Sequence, residues 1–104
     1  MMIHTPDRRY TVVDGVLQRA TNPALSESER VALVTELFEA KQAVKNAGED
    51  YLAMRDARTR IDQAMRALGE RGPVWWDDGE PDFNRRLVRN TPYAVWYAVL
   101  KAFA

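Results

Sequence analysis

The chain has 104 residues, 46% hydrophobic and 29% charged, and its 15 basic and 15 acidic side chains give a formal net charge of zero. This length predicts one domain over residues 1–104 with a modest core. The balanced charge argues against nucleic-acid binding, and the absence of cysteine excludes disulfides, thiol catalysis and cysteine-ligated metals.

Neither a leader nor a membrane span is predicted. The first ten residues, MMIHTPDRRY, lack the apolar run of a secretory signal. The most apolar stretch, YAVWYAVLKAFA, is about half as long as a membrane span and contains Lys101. We therefore expect a soluble cytoplasmic protein without membrane contact.

Residues 8–21, RRYTVVDGVLQRAT, place Asp14 and Gly15 between two short apolar runs. An Asp-Gly pair suits a type I′ turn, because both central residues need a positive φ. The pattern predicts a β-hairpin with Tyr10 and Val12 on one face, and a helix interrupted at Gly15 is the alternative. A two-stranded hairpin is marginal alone, so we expect it to lie on the helices.

Residues 26–69 carry the strongest helical signal. Ser26 and Glu29 fit a capping box, in which each side chain accepts a hydrogen bond from the other residue's amide. Apolar residues then recur three and four positions apart, which places them on one face of a helix. These residues are Leu33, Leu37, Ala40, Val44 and Ala47, followed by Met54, Ala57, Ile61, Ala64 and Leu68. Gly69 and Pro73 predict where the helix ends.

The same spacing runs on without a break, which would give a single helix from 26 to 68 about 64 Å long. Residues 46–50, NAGED, argue against that rod. Asn and Gly favour the end of a helix, whereas Glu and Asp favour the first turn of the next one. We therefore predict an antiparallel helical hairpin with its turn near 46–50.

Residues 70–104 form an aromatic-rich segment that contains all three tryptophans. WWDDG at 75–79 predicts a loop, and Asp82 predicts the cap of a short helix over Phe83–Arg89. Thr91-Pro92 predicts the start of a final helix, because proline loses no needed hydrogen bond there. The apolar face of that helix consists of Tyr93, Trp96, Tyr97, Leu100 and Phe103.

Together these elements predict a mainly α fold, with a short N-terminal β-hairpin and an antiparallel helical hairpin closed by a C-terminal aromatic-rich helix. Two helices alone enclose no interior, and the alanines of the hairpin leave room for large side chains. Aromatic rings bury the most area per residue, so those of the tail are expected to complete the core.

The segments ERGPVWW, DG, PD, NR, NTPYA and WY occupy the last third of the chain. They resemble the C-terminal signature of an uncharacterised family of short bacterial proteins. The resemblance implies no activity, cofactor or site residue. It implies only that the aromatic tail belongs to the ordinary design of the protein.

The candidate binding residues lie in the 74–90 loop. Trp75 and Trp76 should point to opposite sides of an extended segment, so one of them is expected to be an exposed contact residue. The segment also holds three candidate arginines, Arg85, Arg86 and Arg89. Residues 85 and 89 would share a helical face and could orient a partner or hold a phosphate. The alternative is local pairing with the neighbouring acids, Asp77, Asp78, Glu80 and Asp82.

The sequence predicts no catalytic residue, metal or cofactor. The acidic run DDGEPD lacks the alternating carboxylates of a calcium loop and is explained by turns and caps. His4 lies near an end that is expected to fray, and no phosphate loop or nucleophile elbow is present. We expect a protein that is not an enzyme.

The expected function is that of a small interaction or adaptor protein with the 74–90 loop as its contact surface. Val31, Val34 and Phe38 widen the apolar face of the first helix beyond what one neighbouring helix covers. This surplus could receive the tail, another protein, or a second copy in a homodimer. The alternative function is a ligand or single-stranded nucleic-acid binder that uses the same tryptophans and arginines.

Overall fold

The computed structural model describes residues 2–103. Helices predominate in it, which supports the mainly α class in part, and a three-stranded antiparallel sheet accompanies them. The elements are β1 (Ile3–His4), β2 (Tyr10–Val13), β3 (Val16–Arg19), α1 (Glu27–Ala47), α2 (Tyr51–Leu68), a 3₁₀ helix (Val88–Asn90) and α3 (Ala94–Ala102).

The chain divides into two compact units. The first, here called the sheet unit, comprises the chain up to Ala20 together with Trp76 and the residues after it. The second, the hairpin unit, is Thr21–Trp75. The prediction of a single domain stays a prediction.

Both helices of the hairpin unit begin and end close to the predicted residues. The capping box is formed, because Glu29 N–H donates to Ser26 Oγ at 3.1 Å and Ser26 N–H donates to Glu29 Oε1 at 3.0 Å. α1 ends at Ala47 and α2 begins at Tyr51, so the turn near 46–50 is confirmed and the single long helix is excluded.

The predicted apolar faces of α1 and α2 pack against each other through small side chains. The buried positions are Ala40, Ala57, Ala64 and Leu68. Arg60 of α2 reaches across to Glu36 of α1, with Nη2 to Oε1 at 2.6 Å and Nε to Oε2 at 3.1 Å. Alanine at the seam allows close approach but buries little apolar area per residue.

Gly69 ends α2 in the left-handed conformation that helix ends favour, with a φ of 82°. Its surroundings are crowded as well. A Cβ atom at this position would lie 2.9 Å from both Asn22 Cβ and Trp75 Cδ1. Trp75 therefore packs on the end of α2.

The sheet unit contains the predicted β-hairpin. Asp14 has a φ of 52° and Gly15 a φ of 75°, as a type I′ turn requires. Tyr10 and Val12 are buried on one face of β2. The third strand, β1, was not predicted, and it pairs His4 with Thr11. The expectation that His4 lies in a frayed end is therefore wrong, because pairing with β2 orders a strand too short to show a periodic pattern.

The rings of the C-terminal segment pack in the sheet unit. The buried cluster is Tyr10, Val12, Leu17 and Val88, and the partly buried residues against it are Ile3, Trp76, Phe83, Tyr93, Trp96 and Tyr97. Rings of the final helix thus pack on this cluster, whereas the predicted closure of the helical hairpin by them is not confirmed. Leu100 and Phe103, predicted on the same apolar side, are 39% and 87% exposed.

The prediction of a short helix over Phe83–Arg89 is wrong. Arg85 has a φ of 69°, which an α-helix does not allow. The segment pairs with β3 instead: Arg85 N–H donates to Leu17 O at 2.7 Å, and Leu17 N–H donates to Arg86 O at 2.9 Å. An edge strand offers unpaired backbone groups, and their pairing competes here with a local helix.

Candidate functional site

Two acids of the 74–90 loop form ion pairs with Arg9, directly before β2, and with Arg19, at the end of β3. Asp78 forms an ion pair with Arg9. Asp82 Oδ2 accepts a hydrogen bond from Arg19 Nη2 at 2.8 Å, and the Arg19 side chain is only 2% exposed. The acidic loop therefore neutralises charges that come from elsewhere in the sequence.

Arg85, Arg86 and Arg89 remain exposed. Among residues 2–103, none of the three takes part in an ion pair. The prediction of local pairing with the neighbouring acids is therefore wrong. The reason lies in the fold, since β2 and β3 bring Arg9 and Arg19 to two of those acids.

The backbone that presents these arginines is fixed, although their side chains are exposed. At the start of the segment 85–88, backbone hydrogen bonds join Arg85 and Arg86 to Leu17. At its end, Val88 N–H donates to Gly15 O at 2.9 Å. Because the helix over 83–89 does not form, Arg85 and Arg89 do not share a helical face. A fixed backbone lowers the entropy lost when side chains on it bind a partner.

The two candidate tryptophans are half-buried and held by different contacts. The Trp76 ring lies 5.6 Å from the Tyr10 ring in an edge-to-face arrangement, and Arg9 Cζ lies 4.9 Å from its centre. Trp76 Nε1 also donates to Glu80 O at 2.8 Å. Trp75 packs at Gly69. The expectation that one of them is an exposed contact residue is not confirmed.

A cleft of about 460 Å³ lies beside Arg89. It runs from the Asp14–Gly15 turn to α3, where Tyr97 and Lys101 line it. Lys101 Nζ lies 5.4 Å from the centre of the Tyr97 ring. Arg89 and Lys101 could bind one carboxylate, and the Tyr97 ring could contact an apolar group beside it. The Asp14 carboxylate, which also lines the cleft, would repel a second acid placed near it. Sequence reasoning missed Lys101, because only the packing of the sheet unit brings it near Arg89.

A polar network fastens the turn between β1 and β2. Asp7 Oδ2 accepts from Tyr93 Oη at 2.6 Å, and Asp7 Oδ1 accepts from Thr5 Oγ1 at 2.7 Å. Partial burial acts to raise the pKa of Asp7, but the bonds from Tyr93 and Thr5 outweigh it and place that pKa below its usual value. Burial, followed by the bond to Asp7, raises the pKa of Tyr93. Asp7 is thus ionised and Tyr93 protonated at neutral pH, which suits a structural bond and not proton transfer.

Among residues 2–103, no three histidine or acidic side chains group so that they could hold a metal ion. In the same part of the chain, no helix combines the length and the apolar character needed to cross a membrane.

No known protein family, curated protein or solved structure matches this chain. The resemblance of the C-terminal segments to a family of short bacterial proteins therefore stays a prediction.

Proposed function

We propose that this protein is a small non-enzymatic interaction protein that binds an acidic segment of a partner protein through Arg85, Arg86 and Arg89. One observation carries the proposal. The three guanidinium groups are exposed and take part in no ion pair among the described residues, although their segment is rich in acids. The protein thus presents three arginines without ion pairs in one short segment, although its formal net charge is zero.

The chemistry of arginine indicates the kind of partner. A guanidinium group donates two parallel hydrogen bonds to a carboxylate, and such charge-assisted bonds are stronger than neutral ones. The cleft beside Arg89 adds Tyr97 and Lys101 to the same region. An acidic segment with one apolar side chain between its carboxylates matches this combination.

Single-stranded nucleic acid is the alternative partner, since arginine also binds phosphate. Binders of that class stack bases on accessible aromatic rings. The Trp76 ring is engaged by Tyr10 and Arg9, and Trp75 packs at Gly69. Because both tryptophan rings already have partners within the protein, they are less available for base stacking, which favours a protein partner. The cytoplasmic location expected from the sequence stays a prediction.

The test compares the wild-type chain with a variant that carries Arg85→Ala, Arg86→Ala and Arg89→Ala. Both are immobilised and exposed to a lysate of the source organism, and each retained protein is then purified and titrated. We expect the triple variant to bind at least about tenfold more weakly, because it lacks the charge-assisted contacts. A peptide copied from the acidic segment of that protein should compete with it.

Arg58→Ala serves as the matched control, because Arg58 is an exposed arginine of α2 that forms no ion pair among residues 2–103. It should leave binding unchanged. Retention that survives the triple substitution would reject the proposal. Release of the retained proteins by nuclease treatment would instead favour the nucleic-acid alternative.

A further inference from the structure

α1 carries a second row of side chains besides the one that packs on α2. This outer row recurs at spacings of four and three and consists of Glu27, Val31, Val34, Phe38, Lys41 and Lys45. At about 100° per residue, the six positions lie within an arc of about 80°. The centre of that arc is about 120° around the helix axis from the row that faces α2.

The apolar members of the outer row are open to solvent. Val31 is 49% exposed, Val34 is 45% exposed and Phe38 is 63% exposed. A surface helix with one neighbour normally has one apolar stripe and a polar opposite face. α1 has apolar residues on two faces, and no element among residues 2–103 buries the apolar members of its outer row.

The charges at the ends of the outer row have opposite signs. Within the described residues, the one ion pair of Glu27, at the start of α1, is an exposed contact with Arg30 at 3.8 Å. Lys41 and Lys45, near the end of α1, form no ion pair among residues 2–103. The row is therefore acidic at one end, apolar in the middle and basic at the other.

Two copies of this row are complementary when they run antiparallel, because the acidic end of each then faces the basic end of the other. A two-fold axis at the level of Glu36 sets Val34 against the partner subunit's Phe38, and Glu27 against the partner subunit's Lys45. The stem of Lys41 then covers Val31 while its ammonium group stays in water. A parallel arrangement would instead oppose like charges at every polar position, which is unfavourable.

We propose that the protein forms a homodimer in which α1 packs antiparallel on α1 of a second copy through the outer row. The spacing of four and three is that of helices that pack side by side with a small crossing angle. Each contact occurs twice, as an interface with two-fold symmetry requires. The apolar patch is small, so the expected dissociation constant is about micromolar.

The test measures the mass of the full-length protein by sedimentation over concentrations from about 1 to about 200 µM, which bracket the expected constant. Glu27→Lys and Lys45→Glu each place like charges opposite one another in the dimer. Each variant alone should dimerise about tenfold more weakly or worse. An equimolar mixture of the two should restore the dimer, since opposite charges then face each other at both ends of the paired helices.

Glu49→Lys is the control, because it makes the same charge change in the exposed turn between α1 and α2. It should dimerise like the wild type, and circular dichroism should show equal helicity for all variants. A wild type that stays monomeric, single variants that dimerise normally, or a mixture without heterodimer overturns the proposal. The proposed arginine contact lies outside α1, so the Arg85, Arg86 and Arg89 substitutions should leave dimerisation unchanged and the two proposals can fail separately.

Discussion

Asp7 and Tyr93 are 86 positions apart and are joined by a 2.6 Å hydrogen bond. The folded state lowers the pKa of Asp7 below the 3.8 of the free side chain. A carboxylate with a lowered pKa contributes stability above its unfolded pKa, and that contribution disappears as the pH falls through the folded value. This bond should therefore matter at neutral pH and matter little in acid.

Tyr93→Phe removes the hydroxyl donor and keeps the ring that packs on Tyr10. We expect the free energy of unfolding to fall by about 1 kcal/mol at neutral pH, a modest value because Asp7 is exposed to solvent. The loss should shrink at an acidic pH below the folded pKa of Asp7, which is itself below 3.8, because Asp7 is then protonated in both states. Urea denaturation at the two pH values measures the difference.

Tyr51→Phe is the matched control for this prediction. Tyr51 is 76% exposed, and its hydroxyl takes part in no hydrogen bond among the described residues. It should change stability little at either pH. An equal loss for Tyr93→Phe at both pH values would show that its hydroxyl does not act through ionised Asp7.

At the scale of single elements, the end of α2 combines a backbone requirement with a packing requirement. Gly69 and Gly15 have similar left-handed conformations, with φ of 82° and 75°. A Cβ at Gly15 would meet nothing within 4 Å, whereas one at Gly69 would lie 2.9 Å from two carbon atoms. A substitution at Gly15 therefore measures the free-energy cost of the left-handed conformation alone. The same substitution at Gly69 adds the cost of steric crowding.

Gly15→Ala should lower the free energy of unfolding by about 1–2 kcal/mol, the cost of a left-handed alanine. Gly69→Ala should cost that amount and about 1–3 kcal/mol more, because Asn22 and Trp75 have to move. Chemical denaturation followed by circular dichroism gives both values. If the two variants lose the same stability, Trp75 does not pack on the helix end as described.

Elements with a local cause were predictable from the sequence. The Ser26 and Glu29 cap, the NAGED turn and the Asp14–Gly15 turn depend on neighbouring residues, and all three form. The helix over 83–89 failed although Asp82 does bond to the amide of Asn84, two residues on. A local cap permits a helix there, but bonds to β3 satisfy the same backbone groups in another conformation.

At the scale of the whole molecule, the two units have interiors of different kinds. Tyr10, Leu17 and Val88 are fully buried in the sheet unit, with several rings around them. In the hairpin unit, three of the four buried hydrophobic residues are alanines. Large side chains gain more free energy from burial than alanine does. The hairpin unit should therefore open more readily.

Amide hydrogen exchange tests this difference. At low protein concentration, where a dimer would dissociate, we expect amides of α1 and α2 to exchange about tenfold faster or more than those of β2 and β3, after correction for intrinsic rates. Mass spectrometry of peptic fragments resolves the elements. Equal protection in both units would show that the chain unfolds cooperatively, in agreement with the predicted single domain.

The candidate site also combines features that the sequence predicted with features that only the fold produces. The sequence singled out Arg85, Arg86 and Arg89, but their lack of ion pairs depends on Arg9 and Arg19, which lie far away along the chain. Lys101 and Tyr97 reach the cleft beside Arg89 only through packing. Ion pairs between residues far apart in the chain follow no periodic pattern, so they cannot be predicted from the neighbouring sequence.

Sequence alone determined where α1 and α2 begin and end, the turn of the β-hairpin, and the apolar faces of the helices. These features follow from capping, backbone conformation and spacing, which act within a few residues. Tertiary structure alone decided that the aromatic rings pack on the sheet, which acids the arginines meet, and which apolar row of α1 stays exposed. Burial and ion pairing depend on distance in space, and residues far apart in the chain compete for the same partners.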